Sequence, residues 1–165
     1  MANITLGGNP CTTVGELPAV GTKAPSFTLT AQDLSAASLS DYAGKTVVLN
    51  IFPSIDTGVC QKSVRAFSEK LNALSGVQLL NISMDLPFAG ARFCAAEGLE
   101  NVAFLSAFKA PSFGSEYGVT FADSKFAGLF SRAVVVVDAS GQIIHTEQVA
   151  ETGQEPNYDA VLAAL

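Results

Sequence analysis

"TVVLNIFPSIDTGVCQKSVRAFSEKLNALSGVQLLNIS", residues 46–83, decides the fold. Its first seven residues are β-branched or apolar on both alternations, as in a strand covered on both faces. Residues 60–74 carry Val64, Phe67, Leu71 and Leu74 at i, i+3, i+7 and i+10, which is one face of a helix. Gly76 ends that helix, and "VQLLNIS" (77–83) is a second apolar strand. Strand, helix and strand form a right-handed parallel βαβ unit.

Outward from this unit the pattern continues. "ITLGGNPCTTV" reads as two short strands about a Gly-Gly-Asn-Pro turn, "SFTLTAQD" as a short strand, and "LSDYAGK" as a helical turn closed by Gly44. On the other side "LPF" (86–88) breaks the chain, residues 89–97 form a helix carrying Cys94, and Gly98 follows it. "NVAFLSAF" is a third strand, "APSFGSEYGV" holds at best a short helix, and "FADSKFAGLFSR" is loop. "RAVVVVDASGQIIHTEQVA" is an antiparallel hairpin, and "EPNYDAVLAAL" a closing helix with Pro156 in its first turn. A βαβ unit followed by a hairpin and a last helix is the thioredoxin-like order. The expectation is one α/β domain over residues 1–165, a central mixed sheet flanked by helices with an added N-terminal β-hairpin. The order of strands within the sheet is not readable.

Composition excludes several function classes. The chain has 165 residues, 48% of them hydrophobic and 15% charged, with a formal charge of -6. An acidic surface has no electrostatic attraction for phosphate, which argues against nucleic acid and anionic membrane as partners. No apolar run reaches the ~20 residues of a membrane span. The start, "MANITLGGNPCTT", lacks the basic and apolar regions of a signal peptide, so a cytoplasmic location is expected. Three cysteines, Cys11, Cys60 and Cys94, are an odd count in a chain long enough to fold without bridges, which argues against a secreted disulfide framework.

The default reading of a few thiols in such a chain is buried and inert. "FPSIDTGVC" (52–60) argues otherwise for Cys60. It places the thiol at the carboxyl end of a buried strand and in the first turn of a helix. There the unpaired N–H groups and the positive end of the dipole favour an anionic sulfur. Thr57, one turn earlier, is either an N-cap or a hydroxyl directed at the sulfur. Pro53 fixes φ where the strand ends, and Gly58 lets backbone pass close to a ligand. Arg132 is the strong cation beside the strand 133–137, with a planar fork able to donate to sulfur and oxygen together. Cys11 has no charged neighbour in sequence and reads as incidental. His145, the sole histidine, reads as part of a solvated strand face, and the acidic residues near the C-terminus as another. Gly7-Gly8 is not followed by the lysine and helix of a phosphate loop.

The spacing Pro53-x-x-x-Thr57-x-x-Cys60 resembles the active-site motif of the peroxiredoxins. With "RFCAAEG" around Cys94 and "RAVVVVD" after Ser131, the chain resembles the bacterial thiol peroxidases, the atypical two-cysteine branch, over its whole length. The resemblance implies that Cys60 attacks a hydroperoxide and becomes a sulfenic acid. Cys94 then resolves it as an intrachain disulfide, and thioredoxin reduces that disulfide. It assigns Thr57 and Arg132 to the peroxide oxygens and Pro53 to shielding the sulfur from water. It also implies a preference for alkyl and lipid hydroperoxides and a homodimer; no cofactor is expected, nor a metal, since with one histidine a zinc site would need cysteines at spacings that match no common pattern. Both cysteines sit on predicted helices, so joining them implies local rearrangement near 58–62 and 88–97. Two alternatives are a redox sensor with the same chemistry at Cys60, and a protein disulfide oxidoreductase. The latter is weakened by the lack of a C-x-x-C motif.

Overall fold

A computed structural model describes residues 1–100 and 102–165. In chain order the elements are β1 (Asn3–Leu6), β2 (Asn9–Thr12), β3 (Thr28–Ala31), β4 (Ala36–Ser38), a 3₁₀ turn (Leu39–Tyr42), β5 (Thr46–Ile51), α1 (Gly58–Leu71), β6 (Val77–Ser83), α2 (Pro87–Glu97), β7 (Ala103–Ser106), α3 (Ser112–Glu116), β8 (Ala133–Val137), β9 (Ile143–Gln148) and α4 (Tyr158–Ala164). β1 and β2 form the expected separate hairpin, and the other strands make one mixed sheet in the order β4-β3-β7-β6-β5-β8-β9. β5, β6 and β7 run parallel, and both flanks are antiparallel.

Alternation explains how the sheet is covered on both faces. Val47, Leu49 and Ile51 of β5 join Val135 and Val137 of β8 and the rings of Phe113 and Tyr117 beside α3. Val48 and the intervening Val134 and Val136 instead meet Phe67 and Leu71 of α1 and Val161 of α4. Because both alternations are apolar, both are buried.

Several sequence expectations need correction. α1 begins at Gly58 and ends at Leu71, so Leu74 lies beyond it, 41% exposed, and is not part of the buried stripe. Pro87 opens α2 at its first turn, where a missing N–H costs nothing, so the helix starts two residues before the expected 89 and Pro87 and Phe88 belong to it rather than to a break. Pro156 precedes α4, whose cap is Asn157, its side chain accepting from the Ala160 amide at 3.0 Å. β4 has no counterpart in the sequence reading. The expected strand "NVAFLSAF" begins at Asn101, which lies outside the described residues, and the observed strand is the shorter β7.

Two glycines fix helix geometry. Gly98 closes α2 in the left-handed region at φ 63. At Gly90 an added Cβ would stand 2.6 Å from Cγ of Phe104. α2 therefore packs on β7 with no room for a side chain at the contact.

Candidate active site

Register brings the site together. β5 pairs antiparallel with β8 through Ile51 and Ala133, so the chain leaving β5 and the chain entering β8 share one sheet edge. Arg132 thus emerges beside the loop 52–57 and the first turn of α1. Cys60 is 0% exposed and Arg132 is 2% exposed.

The backbone of Thr57 occupies the N-cap position of α1 with φ -118 and ψ 146, but its side chain makes no capping bond. Its hydroxyl lies 2.8 Å from Cys60 Sγ and 2.9 Å from the Ser54 carbonyl oxygen. One hydroxyl proton serves only one of these acceptors at a time. Arg132 donates from Nη2 to Cys60 Sγ at 3.4 Å and from Nε to the Thr152 carbonyl at 2.9 Å. Among the described residues no carboxylate pairs with Arg132, and neither its Nη1 nor Thr152 Oγ1, both buried, has a partner. A buried guanidinium calls for an anion, and the sulfur lies beside it.

A pocket of 170 Å³ lies against this group, with Arg132 and Thr152 in its lining. Leu6, Pro53, Val59 and Phe126 supply apolar wall. Gly58 also lines it, and the space a side chain would take there is open.

The loop carrying Thr57 is held from below. Asp85 accepts from Ser54 Oγ at 2.7 Å, from the Ile55 amide at 2.8 Å and from Ser83 Oγ at 2.8 Å. Beneath the first turn of α1, Ser63 Oγ donates to the Cys60 carbonyl at 2.9 Å and accepts from Asn50 Nδ2 at 3.2 Å. Asn50 also donates to Asn81 Oδ1 at 3.0 Å, and Asn81 to the Ala103 carbonyl at 3.2 Å. This buried amide network ties the cysteine's backbone to β5, β6 and β7.

Cys94, on α2, is a free thiol in the same side-chain cluster as Cys60, among Phe52, Ile55, Val64 and Phe93. Gln32 donates to its sulfur at 3.6 Å while accepting from the Phe104 amide at 3.2 Å. Burial pushes the Cys94 thiol up from its ordinary value, and the Gln32 bond opposes this less strongly. α2 is also bound to its surroundings by ion pairs. Arg92 meets Asp56 of the site loop, and Arg65 of α1 reaches Glu97 with bonds of 2.8 and 2.7 Å.

The remaining candidates sit elsewhere. Cys11 packs in a separate cluster with Ile4 and Phe121. Contrary to the sequence reading it has charged neighbours: burial first, then Asp123 and Glu151, raise its pKa. His145 faces Val136 across the sheet, half-buried and not solvated as expected, with Nε2 buried and unpartnered among the described residues. Among the described residues, no group of three His, Cys, Asp or Glu side chains is placed to hold a metal ion.

The acidic residues near the C-terminus are not simply a solvated face. Glu147 accepts from the Asn157 amide at 2.9 Å, and Glu151 accepts four hydrogen bonds. Sequence reading missed Asp85, Gln32 and Glu151. Asp85 is two residues past a strand end facing a serine-rich loop, a weak signal. Gln32 acts on groups more than sixty positions away, and three of the four donors to Glu151 lie more than 140 positions away, so neither role leaves a local signal.

The profile of the Redoxin family matches residues 19–162. Proteins named thiol peroxidase from Mycobacterium tuberculosis and Mycobacterium bovis are 59% identical over 165 residues, covering 100% of this chain and 99% of each relative. Among solved structures, a peroxiredoxin-like protein from Aquifex aeolicus superposes with a TM-score of 0.93 at 34% identity, covering 99% of this chain and 95% of that one. A thiol peroxidase from Chromobacterium violaceum has the same fold, with a TM-score of 0.88 at 24% identity over 98% of this chain and 93% of its own.

Proposed function

The chain belongs to the Redoxin family as a peroxiredoxin of the thiol peroxidase kind, and from that premise we propose that Cys60 reduces organic hydroperoxides, and hydrogen peroxide, in a cycle completed by Cys94 and thioredoxin. The observation that carries the reading is the convergence of Thr57 Oγ1 and Arg132 Nη2 on one buried sulfur at 2.8 and 3.4 Å. Both groups are donors, which suits a sulfur bearing negative charge and an oxygen about to bear it.

In the first step the Cys60 sulfur attacks the outer oxygen of the hydroperoxide. An S–O bond forms, the O–O bond breaks, and the leaving alkoxide takes a proton as the alcohol. Cys60 is oxidised to the sulfenic acid. In this reading Arg132 holds sulfur and oxygen together, its unpartnered Nη1 being available to the charge that develops, and Thr57 donates to the same oxygen. Pro53, Val59 and Phe126 keep water from the sulfur and give an alkyl chain an apolar wall. In the second step the Cys94 sulfur displaces hydroxide from the sulfenic sulfur. An S–S bond forms and water is lost. Thioredoxin's dithiol then takes the disulfide, restoring both thiols.

The second step needs movement. Cys60 is fixed by Thr57 and Arg132, and Cys94 by Gln32, so a bond between them displaces at least one set of partners. Burial also keeps Cys94 protonated, and only the thiolate attacks. Opening of α2 supplies both reach and ionisation. The reading includes a homodimer and a cytoplasmic setting, where thioredoxin is the reductant; among the described residues no helix is long and apolar enough to cross a membrane.

The test follows NADPH loss with cumene hydroperoxide, thioredoxin and its reductase. Cys60→Ser abolishes turnover. Cys94→Ser retains one oxidation of Cys60 but is not recycled, and Cys11→Ser turns over as the parent does. Normal recycling by Cys94→Ser together with failure of Cys11→Ser would overturn the resolving assignment.

A further inference from the structure

The N-terminal hairpin lies outside the main sheet, yet it is joined to the active site by one carboxylate. Gly7 and Gly8, at φ 60 and 79, turn two successive amides toward the same point. Glu151 occupies it. Its Oε1 accepts from the Gly7 amide at 3.0 Å and the Gly153 amide at 2.9 Å, and its Oε2 from the Gly8 amide at 2.9 Å and Thr5 Oγ1 at 2.7 Å. Paired left-handed residues make a concavity that suits an anion, and here the anion belongs to the chain itself. The backbone repeats the connection, Thr5 donating to Ala150 at 2.8 Å and Thr152 donating to Thr5 at 2.9 Å. The carbonyl of Thr152, whose amide makes the second of these bonds, accepts from Arg132 Nε at 2.9 Å.

We propose that Glu151 is a positioning residue: by fastening the loop 150–153 to the hairpin turn it fixes the Thr152 carbonyl, and so aims the Arg132 guanidinium at Cys60. The inference rests on Arg132 being the cation that serves Cys60 in the reading above. Glu151 touches neither sulfur nor oxygen of the substrate. It acts because Arg132 has no carboxylate partner among the described residues to orient it, so the Thr152 carbonyl is the acceptor that sets the plane of its fork. Glu151→Gln keeps the shape but turns an amide donor toward one pair of donors, so half of the bonds are lost.

The experiment is a double-mutant cycle read on one chemical step. The full-length chain, reduced, is mixed with excess cumene hydroperoxide. Free Cys60 is trapped by alkylation at timed intervals and counted by mass spectrometry. Glu151→Gln is expected to slow oxidation about three- to tenfold, with the far-UV spectrum unchanged. In an Arg132→Met background the same change should alter the rate by less than about 1.5-fold, because the residue through which it acts is gone. Thr5→Val, which removes one donor to the carboxylate, should slow oxidation by a smaller factor and provides the measurement if Glu151→Gln does not fold. Parent rates in both Glu151→Gln and Thr5→Val, or an equal fall with and without Arg132, would overturn the inference alone. An Arg132→Met rate equal to the parent's would remove the underlying reading and the inference together.

Discussion

Replacing Thr57 by valine separates two roles that one residue can play at a helix start. Valine has threonine's shape without its hydroxyl. If that hydroxyl capped α1, its loss would cost about 1 kcal/mol of stability and leave the chemistry intact. The structure places the oxygen elsewhere, 2.8 Å from Cys60 Sγ, with no bond to the first-turn amides. A hydrogen bond to a charged partner is worth about 1.5–3 kcal/mol, which is roughly 10- to 150-fold in rate at about 1.4 kcal/mol per decade. The Ser54 carbonyl at 2.9 Å competes for the same proton, which favours the low end of that range. Thr57→Val should therefore slow oxidation of Cys60 by cumene hydroperoxide roughly tenfold, with urea unfolding shifted by less than about 0.5 kcal/mol. Thr57→Ser should stay within about threefold of the parent, since serine keeps the donor. Timed alkylation gives the rate and urea titration the stability. A parent-like rate with about 1 kcal/mol lost would return Thr57 to the role of a cap and refute the reasoning.

Other consequences are open to direct measurement. Amide exchange in segments 58–62 and 88–97 should quicken in the oxidised chain relative to the reduced one; equal rates would contradict the rearrangement. Gly90→Ala should cost about 1–3 kcal/mol in urea, because the new methyl meets Phe104 near its backbone, and should speed disulfide formation by lifting α2. Asn50→Ala leaves the buried Asn81 Oδ1 without its donor and should cost about 1–3 kcal/mol by the same assay. Four hydrogen bonds, led by that of Thr5, hold the Glu151 carboxyl down to about 2 from the ordinary 4.5. Because the folded value is the lower one, its contribution is complete above about pH 4.5 and is lost as pH falls toward 2. Thermal melts of Glu151→Gln should lack this part of the acid dependence.

What could be read in advance was local. Thr57 and Cys60 are three positions apart across a helix start, and β5 and β6 declare themselves by being apolar on both alternations. Pro87 reads from sequence as part of the break before α2 because proline suits both a connection and a helix's first turn, and the sequence around it does not say which. β4 escaped because "AAS" has no β-branched side chain and forms only through its pairing with β3. The site's longer connections depend on strand order. Arg132 meets Cys60 because β5 lies between β6 and β8, an arrangement no short-range pattern encodes. Glu151 is further removed, since its partners in the hairpin turn lie more than 140 residues earlier.

The isolation of Arg132 also bears on how the cycle returns. Arg132 is 2% exposed, no carboxylate pairs with it among the described residues, and Cys60 Sγ lies 3.4 Å from its Nη2. A disulfide sulfur is neutral, so in the proposed cycle oxidation would strand a buried cation, which water would then have to reach or the surrounding loops release. On the same reading, reduction would restore the missing anion and let the pocket close. If Arg132 readies the thiol for peroxide, the same charge would also bias the oxidised chain toward its reductant, and one arginine would serve both halves of the proposed turnover.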